Sequence, residues 1–293
     1  MRALRQRSLP YLLLLAAGVL ALMFVMVPIV LVVVLAFFDI NLVSGAGTYV
    51  GLDNFRTEIA HDEFARSLRN TVVYGVLTVV PSMTIGLGVA LLVNGLTHGK
   101  GFWRSVYFLP VATTLVAMSA VWRWMFHTDT GIVDTVLSPI FGVRDWLANP
   151  DLALGAVAIV GNWHQIGLVA ILYLAALGSL PRDQFDSARI DGAASWNVFW
   201  HVTWPALGPT TIFAFITTVG SALQAYDVIA AMTQGGPLGS TETLTYMIWV
   251  RGVNYFDIGR AAVLSIALLA LSLLVTAAQR TGYARRLEEG GTR

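Results

Sequence analysis

Pro181-Arg182-Asp183-Gln184-Phe185-Asp186-Ser187-Ala188-Arg189-Ile190-Asp191-Gly192-Ala193-Ala194, running on through Phe199 to Pro205 and Pro209, is a polar island between two long apolar runs. Phe185, Ala188 and Ile190 give its first half the partly apolar face of a short helix. Asp191-Gly192 then supplies a sharp break, because glycine accepts positive φ without a Cβ clash. Trp196, Phe199, Trp200 and Val202 make a second apolar stripe at helical spacing. An interval as long as 181–209 exceeds what a turn between two spans needs, and such length marks structure or function. Two short helices joined at Gly192 make a compact knob; the same aromatics also suit a helix pair lying in the membrane interface.

Outward from the island, apolar runs dominate. The chain has 293 residues, of which 56% are hydrophobic and 12% charged, about half the charge of an average soluble domain. A spanning helix needs about 20 apolar residues to cross a hydrocarbon core of about 30 Å. Six segments qualify: 11–38, 71–93, 105–126, 152–178, 210–232 and 259–278. The first is preceded by Arg2, Arg5 and Arg7, is twice the length of a signal-peptide core and lacks an Ala-x-Ala site after it, so it reads as a retained anchor. Six spans put both termini on one side. With that side cytoplasmic, 11 of the 18 basic residues lie inside and 7 outside, although the outer loops are longer. The island then faces the cytoplasm. A formal net charge of +1 with no basic run argues against nucleic acid, and the absence of Cys removes disulfide, thiolate and Cys-metal chemistry.

The island resembles the EAA loop of the permeases of ABC importers. That pattern is Glu-Ala-Ala, three residues, Gly, then about nine residues to a hydrophobic-Pro stretch; here stand Asp186-Ser187-Ala188, Gly192 and Trp204-Pro205-Ala206-Leu207-Gly208-Pro209. Asp for Glu keeps the charge and shortens its reach. A second stretch, Ala225-Tyr226-Asp227-Val228-Ile229, then Thr233-Gln234-Gly235-Gly236-Pro237 and Ser240-Thr241-Glu242-Thr243-Leu244, is similar to the signature after the fifth span in the first permease subunit of carbohydrate-type importers, such as those for maltose and glycerol 3-phosphate. The resemblance implies an all-α polytopic membrane protein with six transmembrane helices in the type I ABC-importer permease fold, placed in the bacterial cytoplasmic (inner) membrane. It divides into an N-terminal anchor and outer loop over 1–66, a permease core over 67–280 that includes the coupling loop 181–209, and a cytoplasmic tail over 281–293. By the same likeness Asp186, Ser187, Ala188, Asp191, Gly192, Phe199 and Pro205 engage an ATPase, while Tyr226, Asp227, Gly235, Gly236 and Pro237 form an outer loop or gate. Implied partners are a homologous second permease, two copies of a cytoplasmic ABC ATPase and an extracytoplasmic solute-binding protein, with membrane lipid around them. ATP and Mg belong to the ATPase, and no cofactor is expected on this chain.

A solute path needs polar groups that face a cavity, since polar side chains in a membrane are costly elsewhere. Thr217, Ser221 and Gln224 fall at i, i+4 and i+7 on the fifth span, and Asn162 and Gln165 at i, i+3 on the fourth with Tyr173 further along. Amides, hydroxyls and aromatic faces suit a sugar, oligosaccharide or glycerophosphate-like solute. The same residues also serve as glue between helices, at about 0.6 kcal/mol each. Asp227 either meets the binding protein or anchors its helix end.

No Gly-x-x-x-x-Gly-Lys-Ser/Thr is present: around His98-Gly99-Lys100-Gly101 the first Gly position is Asn94 and the hydroxyl position is Gly101. The chain itself is therefore not expected to hydrolyse ATP or act as an enzyme. A self-contained secondary transporter or channel is the alternative, and it would want an intramembrane carboxylate and an internal hydropathy repeat.

Overall fold

The computed structural model describes residues 14–41, 45–142, 145–181, 183, 187–188 and 192–290, with side chains outside 138, 141 and 280–290. Helices are α1 (Leu14–Leu35), α2 (Asp53–Ala60), α3 (Asp62–Gly95), α4 (Lys100–Ala112), α5 (Leu115–Met125), α6 (Ile132–Phe141), α7 (Ala153–Ser179), α8 (Ser195–Ala206), α9 (Gly208–Leu223), α10 (Asp227–Met232), α11 (Leu244–Trp249) and α12 (Ile258–Gly290). Four of them are long and apolar enough to cross a membrane: α1, α3, α7 and α12 over Ile258–Gln279. Two bent pairs, α4 with α5 at 97° and α8 with α9 at 65°, pass the same test of length and composition when taken together, and counting each pair as one span brings the number to six.

The first bend corrects a straight reading of 105–126, whereas the second falls at Leu207, just before the run 210–232, and both have a local cause. Pro110 removes one N–H from the last turn of α4, Thr113 and Thr114 turn extended, and the Thr113 hydroxyl donates to the Pro110 carbonyl at 2.8 Å, closing the helix end. At the other break Leu207, at φ −79° and ψ −4°, separates the two helices, and Pro209, which needs no N–H partner, sits in the first turn of α9. α9 stops at Leu223, short of Met232; Gln224 and Ala225 follow it, and the short α10 begins at Asp227.

The contacts divide the chain into two compact units. The first comprises the chain up to Phe64 together with Met247–Leu273. Here two short strands, β1 (Phe38–Asn41) and β2 (Ala46–Tyr49), pair antiparallel with Phe38 opposite Tyr49, an element the six-helix reading lacked. Ala36, Ala262 and Val263 form its small core with Leu35, Phe55 and Ile266, while the apolar side chains of α1 between Leu14 and Val27 remain exposed, as a lipid-facing surface requires. Asn54 donates to the Ala36 and Phe38 carbonyls, both at 3.0 Å. The Glu58 carboxylate is fully buried between Arg260 (2.9 Å) and Arg251 (3.4 Å), and Arg251 reaches on to Glu63.

The second unit comprises Ala65–Tyr246 and the chain from Leu274. Ala90 and Val93 of α3, Val169, Tyr173, Leu174 and Leu177 of α7, and Leu207 pack together in its core. α4 lies against α7 at Gly167, where a Cβ would overlap the Tyr107 carbonyl oxygen. Such close approach needs a residue without a side chain.

Candidate translocation site

A cavity of about 230 Å³ opens between α3, α5, α7 and the α9–α10 junction. Its walls carry Tyr74 and Thr78 from α3, Gly161, His164 and Gln165 from α7, and Ser221, Gln224, Tyr226 and Asp227 from the end of α9 and the start of α10. The break after Leu223 is what brings Gln224 and Tyr226 to its wall. Gln165 is 8% exposed, and its amide oxygen has no hydrogen-bond partner. An unmet buried acceptor costs about 1–3 kcal/mol, and a ligand hydroxyl would relieve it.

Of the residues read from sequence as lining a path, the structure brings Gln165, Ser221 and Gln224 to this cavity. The other three have partners elsewhere. Asn162 accepts from Ser82 Oγ and donates to the Leu77 carbonyl, both at 2.8 Å, so it ties α7 to α3. Tyr173 is buried in the core with its hydroxyl 3.1 Å from Thr211 Oγ1. Thr217 donates back to the Phe213 and Ala214 carbonyls of its own helix. Tyr74 and Thr78 were missed, although Asn70, Tyr74, Thr78 and Ser82 recur every fourth residue along α3 and form a legible polar stripe.

The loop after α10 is laced to the start of α3. Asn70 Nδ2 donates to the carbonyls of Gly239 (3.1 Å) and Glu242 (3.0 Å), Arg66 pairs with Glu242 at 2.9 Å, and the Thr71 hydroxyl accepts from the Leu244 N–H at 2.9 Å. Thr241 donates to the Gly236 carbonyl at 2.8 Å, and the Gly236-Pro237 peptide is cis. Gly235 has φ +83°, and a Cβ there would strike the Tyr246 ring and the Glu242 stem. Tyr226 stacks on Tyr246 with ring centroids 6.3 Å apart. Among the described residues no group of three or more His, Asp or Glu is placed to hold a metal ion.

Residues 82–286 match the family model described as the binding-protein-dependent transport system inner membrane component. The chain belongs to this family. Among its relatives is the sulfoquinovosyl glycerol transport system permease protein SmoG of Agrobacterium fabrum, 32% identical over 94% of this chain and 90% of that one. The sn-glycerol-3-phosphate transport system permease protein UgpA of the same organism is 30% identical over 84% of each. The fold matches a chain of a bacterial alginate ABC transporter solved in complex with an alginate pentasaccharide-bound periplasmic protein, with a TM-score of 0.81 and 22% identity over 98% of this chain and 97% of that one. The chain is thus a permease component of an ABC importer with the type I fold, resident in the inner membrane.

In this permease the residues of the loop 181–209 read from sequence divide into two groups. Asp186 and Asp191 lie outside the described residues. Ser187 donates to the Asp183 carbonyl at 2.9 Å, and the Ala193 N–H to the Ala188 carbonyl at 3.0 Å. Gly192 takes φ +71° with open space where a side chain would stand. Phe199 and Pro205 belong to α8, where Trp196, Phe199, Trp200 and Trp204 form one connected aromatic stripe with neighbouring ring centroids 5.2–6.3 Å apart.

Proposed function

We propose that this permease forms half of the translocation pathway for a sugar, oligosaccharide or glycerophosphate-like solute, and that the cavity beside Gln165 is where the solute is held. The buried, unpartnered amide oxygen of Gln165 carries the assignment of the site. It accepts from a solute hydroxyl; Ser221 and Gln224 offer further polar contacts, and the Tyr74 and Tyr226 rings offer apolar faces to C–H groups. The solute class rests on this lining and on relatives named for sulfoquinovosyl glycerol and glycerol 3-phosphate.

The assembly proposed is this chain with a homologous second permease, two copies of a cytoplasmic ATPase and an extracytoplasmic binding protein, the last supported by the periplasmic protein bound to the alginate transporter. ATP and Mg act on the ATPase. In this reading both termini and the loop 181–209 face the cytoplasm, which the excess of basic residues on that side supports. Closure of the ATPase dimer on ATP carries the loop with it; α8 runs into α9 through the bend at Leu207, so the motion reaches the end of α9 that lines the cavity. The test is solute-stimulated ATP hydrolysis by the reconstituted assembly across a panel of sugars, polyols and glycerophosphodiesters. Stimulation by one class, weakened by Gln165→Leu and Gln224→Leu, supports the site. Stimulation untouched by both variants overturns it.

A further inference from the structure

A second cavity, of about 390 Å³, lies between α4 and α7 and is lined by Arg104, Ser105, Phe108, Ile171, Leu174 and Ala175. The function proposed above does not use it. Its lining is carbon apart from two groups, and one of these is already committed: the Ser105 hydroxyl donates to the Gly101 carbonyl at 3.1 Å. Water filling such a groove would lack the two to four polar partners that each ordered molecule needs. Arg104, one turn into α4, has no hydrogen-bond or ion-pair partner among the described residues, whereas the nearby Lys100 donates to the Asn94 carbonyl at 2.7 Å. Phe108 is 50% exposed one turn deeper along the same face. The groove is therefore apolar along its length and cationic at one end.

We infer that this groove holds one acyl chain of an anionic phospholipid, with the lipid phosphate on Arg104. A helix of another protein would have to place a carboxylate opposite the guanidinium and, separately, apolar side chains along the groove, two matches that one lipid supplies together. A phospholipid already carries its phosphate at that level and its hydrocarbon below it, and basic pockets between spanning helices suit anionic headgroups. The proposed orientation puts the lipid in the cytoplasmic leaflet, but binding in detergent does not depend on orientation or on which solute is carried.

The experiment is native mass spectrometry of the assembled transporter after exchange into detergent containing equal phosphatidylglycerol and phosphatidylcholine. The native chain is expected to retain phosphatidylglycerol over phosphatidylcholine. Arg104→Gln is expected to lower that preference about five-fold, the factor one basic side chain contributes near an anionic surface. Ala175→Trp, which fills the groove and keeps Arg104, is expected to remove one bound lipid per chain while the partner subunits still co-purify. Equal retention of both lipids by the native chain, or retention unchanged in both variants, overturns the inference. So does efficient cross-linking of Phe108→Cys to the second permease, which would place protein in the groove.

Discussion

Asn70 is the residue on which the loop after α10 hangs, because one amide group serves two loop carbonyls, of which Gly239 also accepts from the Glu242 N–H at 3.2 Å. Asn70→Leu should lower stability by about 1–3 kcal/mol through the two lost bonds and the Glu242 carbonyl it leaves without the Asn70 donor, seen as a lower Tm and faster proteolysis within 233–243; an unchanged Tm would contradict the lacing described. Gln165 behaves in the opposite way. Its oxygen is unmet in the structure, so Gln165→Leu should leave Tm level or higher while weakening the apparent solute affinity about ten-fold, the worth of one hydrogen bond. A fall in Tm with unaltered solute response would make Gln165 a packing residue. In the first unit, Glu58→Gln leaves Arg251 and Arg260 facing each other without their shared counter-charge, and a loss of about 3–5 kcal/mol is expected from a broken buried network. A Tm within a degree of the native chain would show that Glu58 is not needed there.

At the scale of elements, the six apolar runs were legible because hydrophobic content alone identifies a span, and the Pro-Gly punctuation around 181–209 located the loop. Direction was not legible. Thr113 and Thr114 are apolar enough to sit inside a span, and nothing in the count of residues 105–126 tells a straight helix from one turned through 97°. Asn162 and Gln165 share a helical face by spacing, yet one meets α3 and the other the cavity, because α7 is buried on several sides and a single face there has more than one neighbour. The strands β1 and β2 were not legible because each has four residues: Phe38-Asp39-Ile40-Asn41 does alternate but follows directly on the apolar run 11–38, which absorbed Phe38, and Ala46-Gly47-Thr48-Tyr49 has little alternation. Packing between elements gives a paired test on α7. Gly167→Ala should overpack the α4 contact and lose about 1–3 kcal/mol, whereas Gly155→Ala, with nothing within 4 Å, should gain up to about 1 kcal/mol from helix propensity. Equal effects of the two would contradict the close approach at Tyr107.

For the whole molecule the proposed function joins two ends of one path, a loop proposed to receive work from an ATPase and a cavity proposed to hold solute, connected by α8, the bend at Leu207 and α9. Gly192 isolates the first end. Its φ of +71° suits glycine, and the space around it is open, so a side chain there acts on the backbone of the loop and not on packing. The most direct measurement is co-purification of the ATPase with the native chain and with Gly192→Val, alongside solute-stimulated ATP hydrolysis by each assembly. The account predicts that the native chain brings down the ATPase and responds to solute, and that the variant keeps its Tm while losing recovery or stimulation by ten-fold or more, for which about 1.4 kcal/mol of strain suffices. A native chain that purifies without an ATPase and still moves solute in vesicles would contradict it.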